Sequence, residues 1–177
     1  MFVLDSSQIE EYRNNKPEYY RQLAKQLEAL LAEDTNWVTN LAQMSAFVYQ
    51  MLPDLNWVGF YMVNPKDSSA LILGPYQGKV ACVHIPFGRG VCGTAAQTQE
   101  TQLVEDVHAF EGHIACDGDT NSEIVIPMMV DGGSGDKELK GVFDIDSPLA
   151  NRFDQQDADG LTALLNVLIG KTEFDKI

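Results

Sequence analysis

Basic residues are scarce in this sequence. Its 177 residues include 12 Lys and Arg against 26 Asp and Glu, which gives a formal net charge of −14. Nucleic acids and anionic membrane surfaces are both recognised through clusters of Lys and Arg. We therefore expect neither a nucleic acid nor a membrane surface among the partners of this protein.

Long hydrophobic runs are lacking as well. The longest strongly apolar stretch, WVGFYMV at residues 57–63, is far too short to cross a bilayer. The first residues, MFVLDSSQIEEYRNN, contain neither the basic region nor the apolar region of a signal peptide. These two features predict a soluble, cytoplasmic protein.

Cysteine occurs only three times, at Cys82, Cys92 and Cys116. An odd number argues against the disulfide framework of a small secreted protein and favours catalytic or metal-binding use. Together with His84 and His113 these cysteines could ligate zinc, but no C-x-x-C pair is present, and structural zinc sites almost always show such spacing. We therefore predict no metal site.

Hydrophobic periodicity predicts an α+β fold. Helical spacing predicts helices over residues 16–34, 36–52 and 154–170, and a glycine turn opens a shorter helix within 88–100. Six β-rich segments lie between them: 56–63, 70–73, 79–87, 101–106, 123–130 and 138–146. This order predicts a six-stranded, mostly antiparallel sheet with the N- and C-terminal helices packed on one face and active-site loops over the other.

The chain is long enough for a single core. We assign residues 1–16 to an N-terminal extension and residues 17–177 to one domain. The sequence leaves the state of assembly open, including a homodimer.

The loop over residues 105–122 is longer than most connections, which favours a functional role. It holds Cys116 among Asp, Asn, Gly and Ser residues, although free cysteines are usually buried as small hydrophobes. We interpret Cys116 as reactive, with an inconsequential loop cysteine as the alternative.

Cys82 falls in a predicted strand, where it could be an ordinary core residue. Cys92 lies near a helix N-terminus, where the helix dipole is expected to lower the pKa of the thiol.

Three carboxylates are predicted to meet. Asp144 and Asp146 are two residues apart on one strand, so both face the same side of the sheet, and Glu123 opens the adjacent strand. Such groups cannot all ionise easily, so the pKa of one carboxyl should rise. That carboxyl would keep its proton near neutral pH and could act as a proton donor. The alternative is an acidic sheet edge. Trp57 and Tyr61 share a strand face and could cage a methyl group or a sulfur, or simply belong to the core.

Two short motifs carry little weight. GRGVCG at residues 88–93 matches a dinucleotide fingerprint, but its flanking strands do not form parallel βαβ units. DGDTNS at 117–122 begins like a calcium loop and then lacks the required glycine and glutamate.

Several motifs in this order resemble those of the free methionine-(R)-sulfoxide reductases, which are single-domain enzymes of the GAF fold. The resemblance runs from about the second predicted helix to the last one. It rests on NWVGFY, LGPYQGKVACVHIPFGRGVCGTAA, VEDVH, GHIACD, NSEIVIP and GVFDIDS. The chain departs from the pattern in a long turn at residues 131–137 and in its N-terminal extension, neither of which contains a matched position.

The resemblance implies a reaction and a role for each matched residue. Free methionine (R)-S-oxide would be reduced to methionine, with no bound cofactor and with thioredoxin as the final electron donor. Cys116 is similar in position to the cysteine that attacks the sulfoxide sulfur, and Cys82 and Cys92 are similar to the thiols that resolve the oxidised intermediate as disulfides. The remaining matches form the substrate site: Trp57 and Tyr61 at the methyl end, and Glu123, Asp144 and Asp146 around the sulfoxide oxygen.

Two other functions stay open at the sequence level. A GAF-type module could bind a small ligand without catalysis. A redox switch could use the cysteines only for signalling, but it would not need the three carboxylates.

Overall fold

The structure, a computed structural model, describes residues 2–110, 112, 118–132 and 135–174. Within these residues it contains five α-helices and a single short 3-10 turn. The bounds are α1 (Ser6–Asn14), α2 (Lys16–Leu30), α3 (Trp37–Met51), α4 (Gly90–Thr98), α5 (Gln155–Lys171) and the turn Val107–Ala109.

The helices predicted from periodicity are confirmed, and α1 is an addition. It lies in the segment assigned to an N-terminal extension, where the sequence SSQIEEYRN offers few apolar residues. Its start is set by a capping box, in which the Asp5 carboxylate accepts from the backbone of Ser7 and Gln8. A cap of this kind is a local signal that a search for apolar periodicity overlooks.

The β-strands build one sheet in the order β3-β2-β1-β6-β5-β4, and every pair of neighbours is antiparallel. The predicted fold class is therefore confirmed. The strands are β1 (Trp57–Asn64), β2 (Asp67–Gly78), β3 (His84–Pro86), β4 (Gln102–Val104), β5 (Ser122–Asp131) and β6 (Lys137–Ser147).

The third strand is much shorter than predicted. Only three residues of β3 pair with β2, from Ala70 opposite Pro86 to Ile72 opposite His84. The preceding residues leave the ladder after one hydrogen bond from the Leu73 N–H to the Val83 carbonyl, at 2.9 Å. Cys82 consequently lies in a connecting segment and not in a strand, which corrects the sequence-based prediction.

The two faces of the sheet have different partners because strand residues alternate. Phe60 of β1 and Phe143 of β6 point to the helical side, where their rings stack with centroids 4.7 Å apart. Both belong to a core formed with α1, α2, α3 and α5. The opposite face carries Trp57 and Tyr61 and packs against α4. The helical layer thus holds the sheet while the other face is left for a pocket.

A buried carboxylate ties α1 to the rest of the helical layer. Asp157 of α5 is fully buried and accepts from the hydroxyls of Tyr12 at 2.6 Å and Tyr20 at 2.8 Å. The Lys16 ammonium lies 2.6 Å from its other oxygen, and the Arg152 guanidinium lies 3.6 Å away. Elements distant in sequence therefore share one ion cluster.

Within the described residues, the structure contains no helix that is both long and apolar enough to cross a membrane.

We expect Asp157→Asn to lower the free energy of unfolding by about 3 kcal/mol, since removing one member of a buried ion pair leaves its partner charges uncompensated. Urea denaturation followed by circular dichroism would measure the change. Asp159→Asn, an exposed position on the same helix, is the matched control and should stay within about 0.5 kcal/mol of the parent. Equal stability of Asp157→Asn and the parent would show that the cluster does not hold the helices together.

Candidate functional site

Strand register brings the predicted pocket residues into one row. Asp146 on β6 pairs with Trp57 on β1 and with Glu123 on β5. Asp144 lies two residues from Asp146 on β6 and Tyr61 lies four residues from Trp57 on β1, and these even spacings place all four side chains on the same face. Because β6 is the central partner of both neighbours, its two carboxylates sit between the aromatic residues and Glu123.

These five side chains line a single pocket together with Cys92 of α4. The pocket opens on the sheet face opposite the helical core. The structure thus brings Trp57, Tyr61, Glu123, Asp144, Asp146 and Cys92 together, as the strand pattern predicted for the carboxylates and the aromatic pair.

Two carboxyl side chains line the pocket side by side. Glu123 and Asp144 are 7% and 5% exposed, and each offers a carboxylate oxygen within 4.8 Å of the other. Burial, followed by the charges of Asp144 and Asp146, raises the pKa of Glu123 well above its usual range. Burial also raises the pKa of Asp144, to about 7, against hydrogen bonds with Cys92 and Glu123 that lower it. The pair therefore retains a proton near neutral pH.

One oxygen of this pair lacks a partner. Asp144 Oδ1 is buried and makes no hydrogen bond among the described residues. A buried polar atom without a partner is costly, and it is the expected condition of a group that meets a ligand in the pocket.

The environment of Cys92 differs from the sequence-based expectation. Its sulfur lies 3.9 Å from Glu123 Oε1 and the residue is 4% exposed. Burial, followed by the neighbouring Asp144 and Glu123 charges, raises the pKa of the Cys92 thiol well above its usual range. The expected lowering by the helix dipole is therefore wrong, because desolvation and two adjacent carboxyls outweigh a partial charge at a helix end.

The aromatic wall is larger than the sequence indicated. Trp57 stacks on Tyr61 at 5.8 Å and on Tyr76 of β2 at 5.1 Å between ring centroids. The indole lies close to Gly59, where an added Cβ would come within 2.7 Å of the Trp57 ring. Its Nε1 donates to the Lys79 carbonyl at 3.1 Å. Glycine at position 59 therefore allows the ring to lie against the sheet.

The remaining cysteines occupy different positions. Cys82 is half-buried in the segment before β3 and is disulfide-bonded, whereas Cys92 is a free thiol. The predicted nucleophile, Cys116, lies outside the described residues. The structure therefore does not test its role.

Among the described residues, one set of pocket side chains could hold a cation. The ligand atoms of Cys92, Glu123 and Asp144 lie within 4.8 Å of one another. His84, which was weighed as a zinc ligand, is exposed and does not line the pocket, and His113 lies outside the described residues. Because burial raises the pKa of both carboxyls, we interpret the set as a cluster that holds a proton and not as a cation site.

Sequence reasoning missed several pocket residues. Arg89, at the start of α4, and the buried Thr120, just before β5, both line the pocket. Tyr76 joins the aromatic stack, and Gly59 makes room for it. A glycine between two aromatic residues on one strand face was the available signal for close packing, whereas Arg89 and Thr120 come from loops whose path the sequence does not reveal.

Comparison with known proteins gives the same architecture. Residues 24–168 match the family model of the GAF domain. The chain is 46% identical over 165 residues to free methionine-R-sulfoxide reductase of Escherichia coli, covering 92% of this chain and 95% of that protein. It is 48% identical over 160 residues to Protein YtsP of Bacillus subtilis, covering 90% and 94%.

A solved structure agrees over nearly the whole length. The X-ray structure of free methionine-R-sulfoxide reductase from Neisseria meningitidis in complex with its substrate superposes with a TM-score of 0.83 at 40% identity, covering 97% of this chain and 95% of that chain. With its GAF sheet and its identity to named reductases over most of its length, the chain belongs to the free methionine-R-sulfoxide reductase family of GAF-domain proteins.

Proposed function

We propose that this protein reduces free methionine (R)-S-oxide to methionine. The observation that carries the proposal is a buried pair of neighbouring carboxyls, Glu123 and Asp144, in one pocket with an aromatic wall, and burial raises the pKa of both. Reduction of a sulfoxide needs a proton for the departing oxygen and an apolar surface for the methyl group. Relatives named for this activity at 46% identity support the same reaction here.

The substrate orientation follows from the polarity of the pocket. The methyl group would lie against Trp57 and Tyr61, and the sulfoxide oxygen would accept a hydrogen bond from the Glu123–Asp144 pair. Asp144, whose Oδ1 makes no hydrogen bond within the described part of the chain, lines the same pocket. Arg89 is the one Lys or Arg side chain lining the pocket among the described residues, so it is our candidate for the substrate carboxylate.

In the proposed first step, the Cys116 thiolate attacks the sulfoxide sulfur. The sulfur–oxygen bond of the substrate breaks as the oxygen passes to the cysteine with a proton from the carboxyl pair. Methionine leaves, and Cys116 becomes a sulfenic acid. This assignment of Cys116 rests on its match to the family motif GHIACD.

A second thiol then condenses with the sulfenic acid, releasing water and forming a disulfide. We assign this step to Cys82, which is half-buried and disulfide-bonded. Cys92 is a poorer first resolving thiol, because burial keeps it protonated. Its thiol instead donates toward Glu123 and can act as a later relay.

The cycle closes when an external dithiol reduces the disulfide, and thioredoxin is poised for such reductions. The proposal requires no bound cofactor and no metal. We also propose a cytoplasmic location, where thioredoxin keeps protein thiols reduced.

The proposed function predicts turnover of a single substrate form. In an assay that follows NADPH consumption with thioredoxin and thioredoxin reductase, we expect turnover of free methionine (R)-S-oxide. The S epimer and a peptide-bound sulfoxide should give at most background rates. No turnover of any of the three, with the cysteines shown to be reduced at the start, would contradict the enzyme proposal and favour a ligand-binding GAF module.

Replacing each of the three cysteines by serine should impair a different step of the reaction. Cys116→Ser should abolish methionine formation even in a single turnover, because the nucleophile is gone. Cys82→Ser should form about one methionine per protein and then stop with thioredoxin as donor, while Cys92→Ser should slow recycling less than Cys82→Ser does. Rapid-quench measurement of methionine reports the first turnover, and a full first turnover by Cys116→Ser would make Cys92 the nucleophile instead.

Asp144→Asn should lower kcat by roughly 100-fold, the usual contribution of a general acid, with little change in KM.

Asp144→Asn should also stabilise the fold at alkaline pH. Because the pKa of Asp144 is raised to about 7 in the folded state, its stabilising contribution is present below its unfolded pKa and lost as pH rises through about 7. At pH 8 the free energy of unfolding of the variant should be higher than that of the parent by on the order of 2 kcal/mol.

Thermal unfolding between pH 4 and pH 8 would measure this difference. Glu123→Gln should behave in the same way, since the pKa of Glu123 is also raised. The control is Asp131→Asn, at an exposed position on the same strand as Glu123. A rise in KM at unchanged kcat in Asp144→Asn would disprove the proton-donor role.

A further inference from the structure

We propose that the segment from Lys79 to Val83 is the docking surface for the protein dithiol that recycles this enzyme, and that Cys82 carries the sulfur it attacks. The partner is a small acidic protein with a Cys-x-x-Cys pair, of the thioredoxin type. The inference rests on the proposed function, since it names the surface at which the external electrons enter.

Exposure of apolar side chains marks the surface. Val80 is 85% exposed and Val83 is 55% exposed, the two highest values among the large hydrophobic residues in the described part of the chain. They stand on either side of Cys82, which is disulfide-bonded. Exchange with a disulfide requires physical access to one sulfur, and the centre of a protein interface is its most apolar part. Cys82 is only half-buried and lies between two exposed valines in the sequence, which fits both requirements.

The segment is held in place at both of its ends. The Trp57 indole N–H donates to the Lys79 carbonyl at 3.1 Å, and the Leu73 N–H donates to the Val83 carbonyl at 2.9 Å. The backbone is therefore fixed while the two valine side chains remain exposed. A surface ordered before contact loses less conformational entropy on binding.

The distribution of charge favours an acidic partner at this face. The protein has a net charge of −14, yet the sequence contains no Asp or Glu from Ser68 to Gln99. Lys79 is offset by its ion pair with Asp119, and Arg89 makes no ion pair among the described residues. The stretch that carries the segment adds no negative charge of its own, so an acidic dithiol protein meets less repulsion here than the net charge of the chain alone would give.

The exchange balances in two steps. A donor thiolate attacks the Cys82 sulfur, a new sulfur–sulfur bond forms, and the other cysteine of the enzyme disulfide leaves as a thiolate. The second donor thiol, after losing its proton to solvent, attacks the donor sulfur of this mixed disulfide and releases Cys82 as a thiolate. Two electrons pass to the enzyme, and the donor ends as an internal disulfide.

The test compares two electron donors on one variant. Val83→Asp places a carboxylate at the edge of the surface, and Val83 does not line the substrate pocket. With thioredoxin, thioredoxin reductase and NADPH we expect the KM for thioredoxin to rise roughly tenfold, which corresponds to about 1.4 kcal/mol. With dithiothreitol, which needs no docking surface, we expect the parent rate. The matched control is Val38→Asp, a 47% exposed valine on α3 in the helical layer, which should match the parent with both donors.

An unchanged KM for thioredoxin in Val83→Asp would overturn the proposal, and so would an equal loss with both donors. A second measurement is independent of turnover. Thioredoxin whose second reactive cysteine is replaced by serine should be trapped on the oxidised protein as a mixed disulfide at Cys82, identified by peptide mass mapping. Trapping at another cysteine would refute the docking assignment. If the parent protein traps thioredoxin at Cys82 but reduces no sulfoxide with either donor, the proposed function fails and the docking surface stands.

Discussion

The burial of two neighbouring carboxyls is the constraint on which the arrangement of the pocket depends. Glu123 and Asp144 cannot both be charged at this depth, so the fold must keep them close, shield them from water and tolerate the cost. On the other face of the strand that carries Asp144, Phe143 stacks on Phe60 in the helical core, and this apolar packing offsets the cost of burying the carboxyls. Alternation along one strand thus couples an unfavourable polar face to a favourable apolar one.

Much of this organisation can be predicted from the sequence, because it follows from periodicity. The two-residue spacing of Asp144 and Asp146 places both on one face, and the helical repeats locate the layer that covers the other. The pairing of Glu123 with Asp146 was also within reach, since the two strands form a hairpin. Predictions of this kind need only local pattern and the rules of strand pairing.

What the sequence could not provide depends on tertiary surroundings. Cys92 stands near a helix end, which suggests a reactive thiol, but its pKa is governed by burial and by carboxyls from two other elements. Cys82 was assigned to a strand because its neighbours are β-formers, yet the ladder takes up only the three residues that follow Val83. Tyr76 of β2 joins the site because its ring stacks on Trp57 of β1. The spacing of residues within one strand does not predict a contact between two strands.

The Asp157 cluster has a consequence for how the molecule opens. In α1 only Tyr12 is buried, so this short polar helix would fray readily if it depended on its own apolar contacts. The Tyr12 hydroxyl, however, donates to the same Asp157 carboxylate as Tyr20 and accepts from Arg152. Detaching α1 would therefore expose a carboxylate and two cations whose contacts also hold α2 and α5. In hydrogen-exchange terms, the amides of α1 then belong to the same cooperative unit as the first turns of α2 and α5.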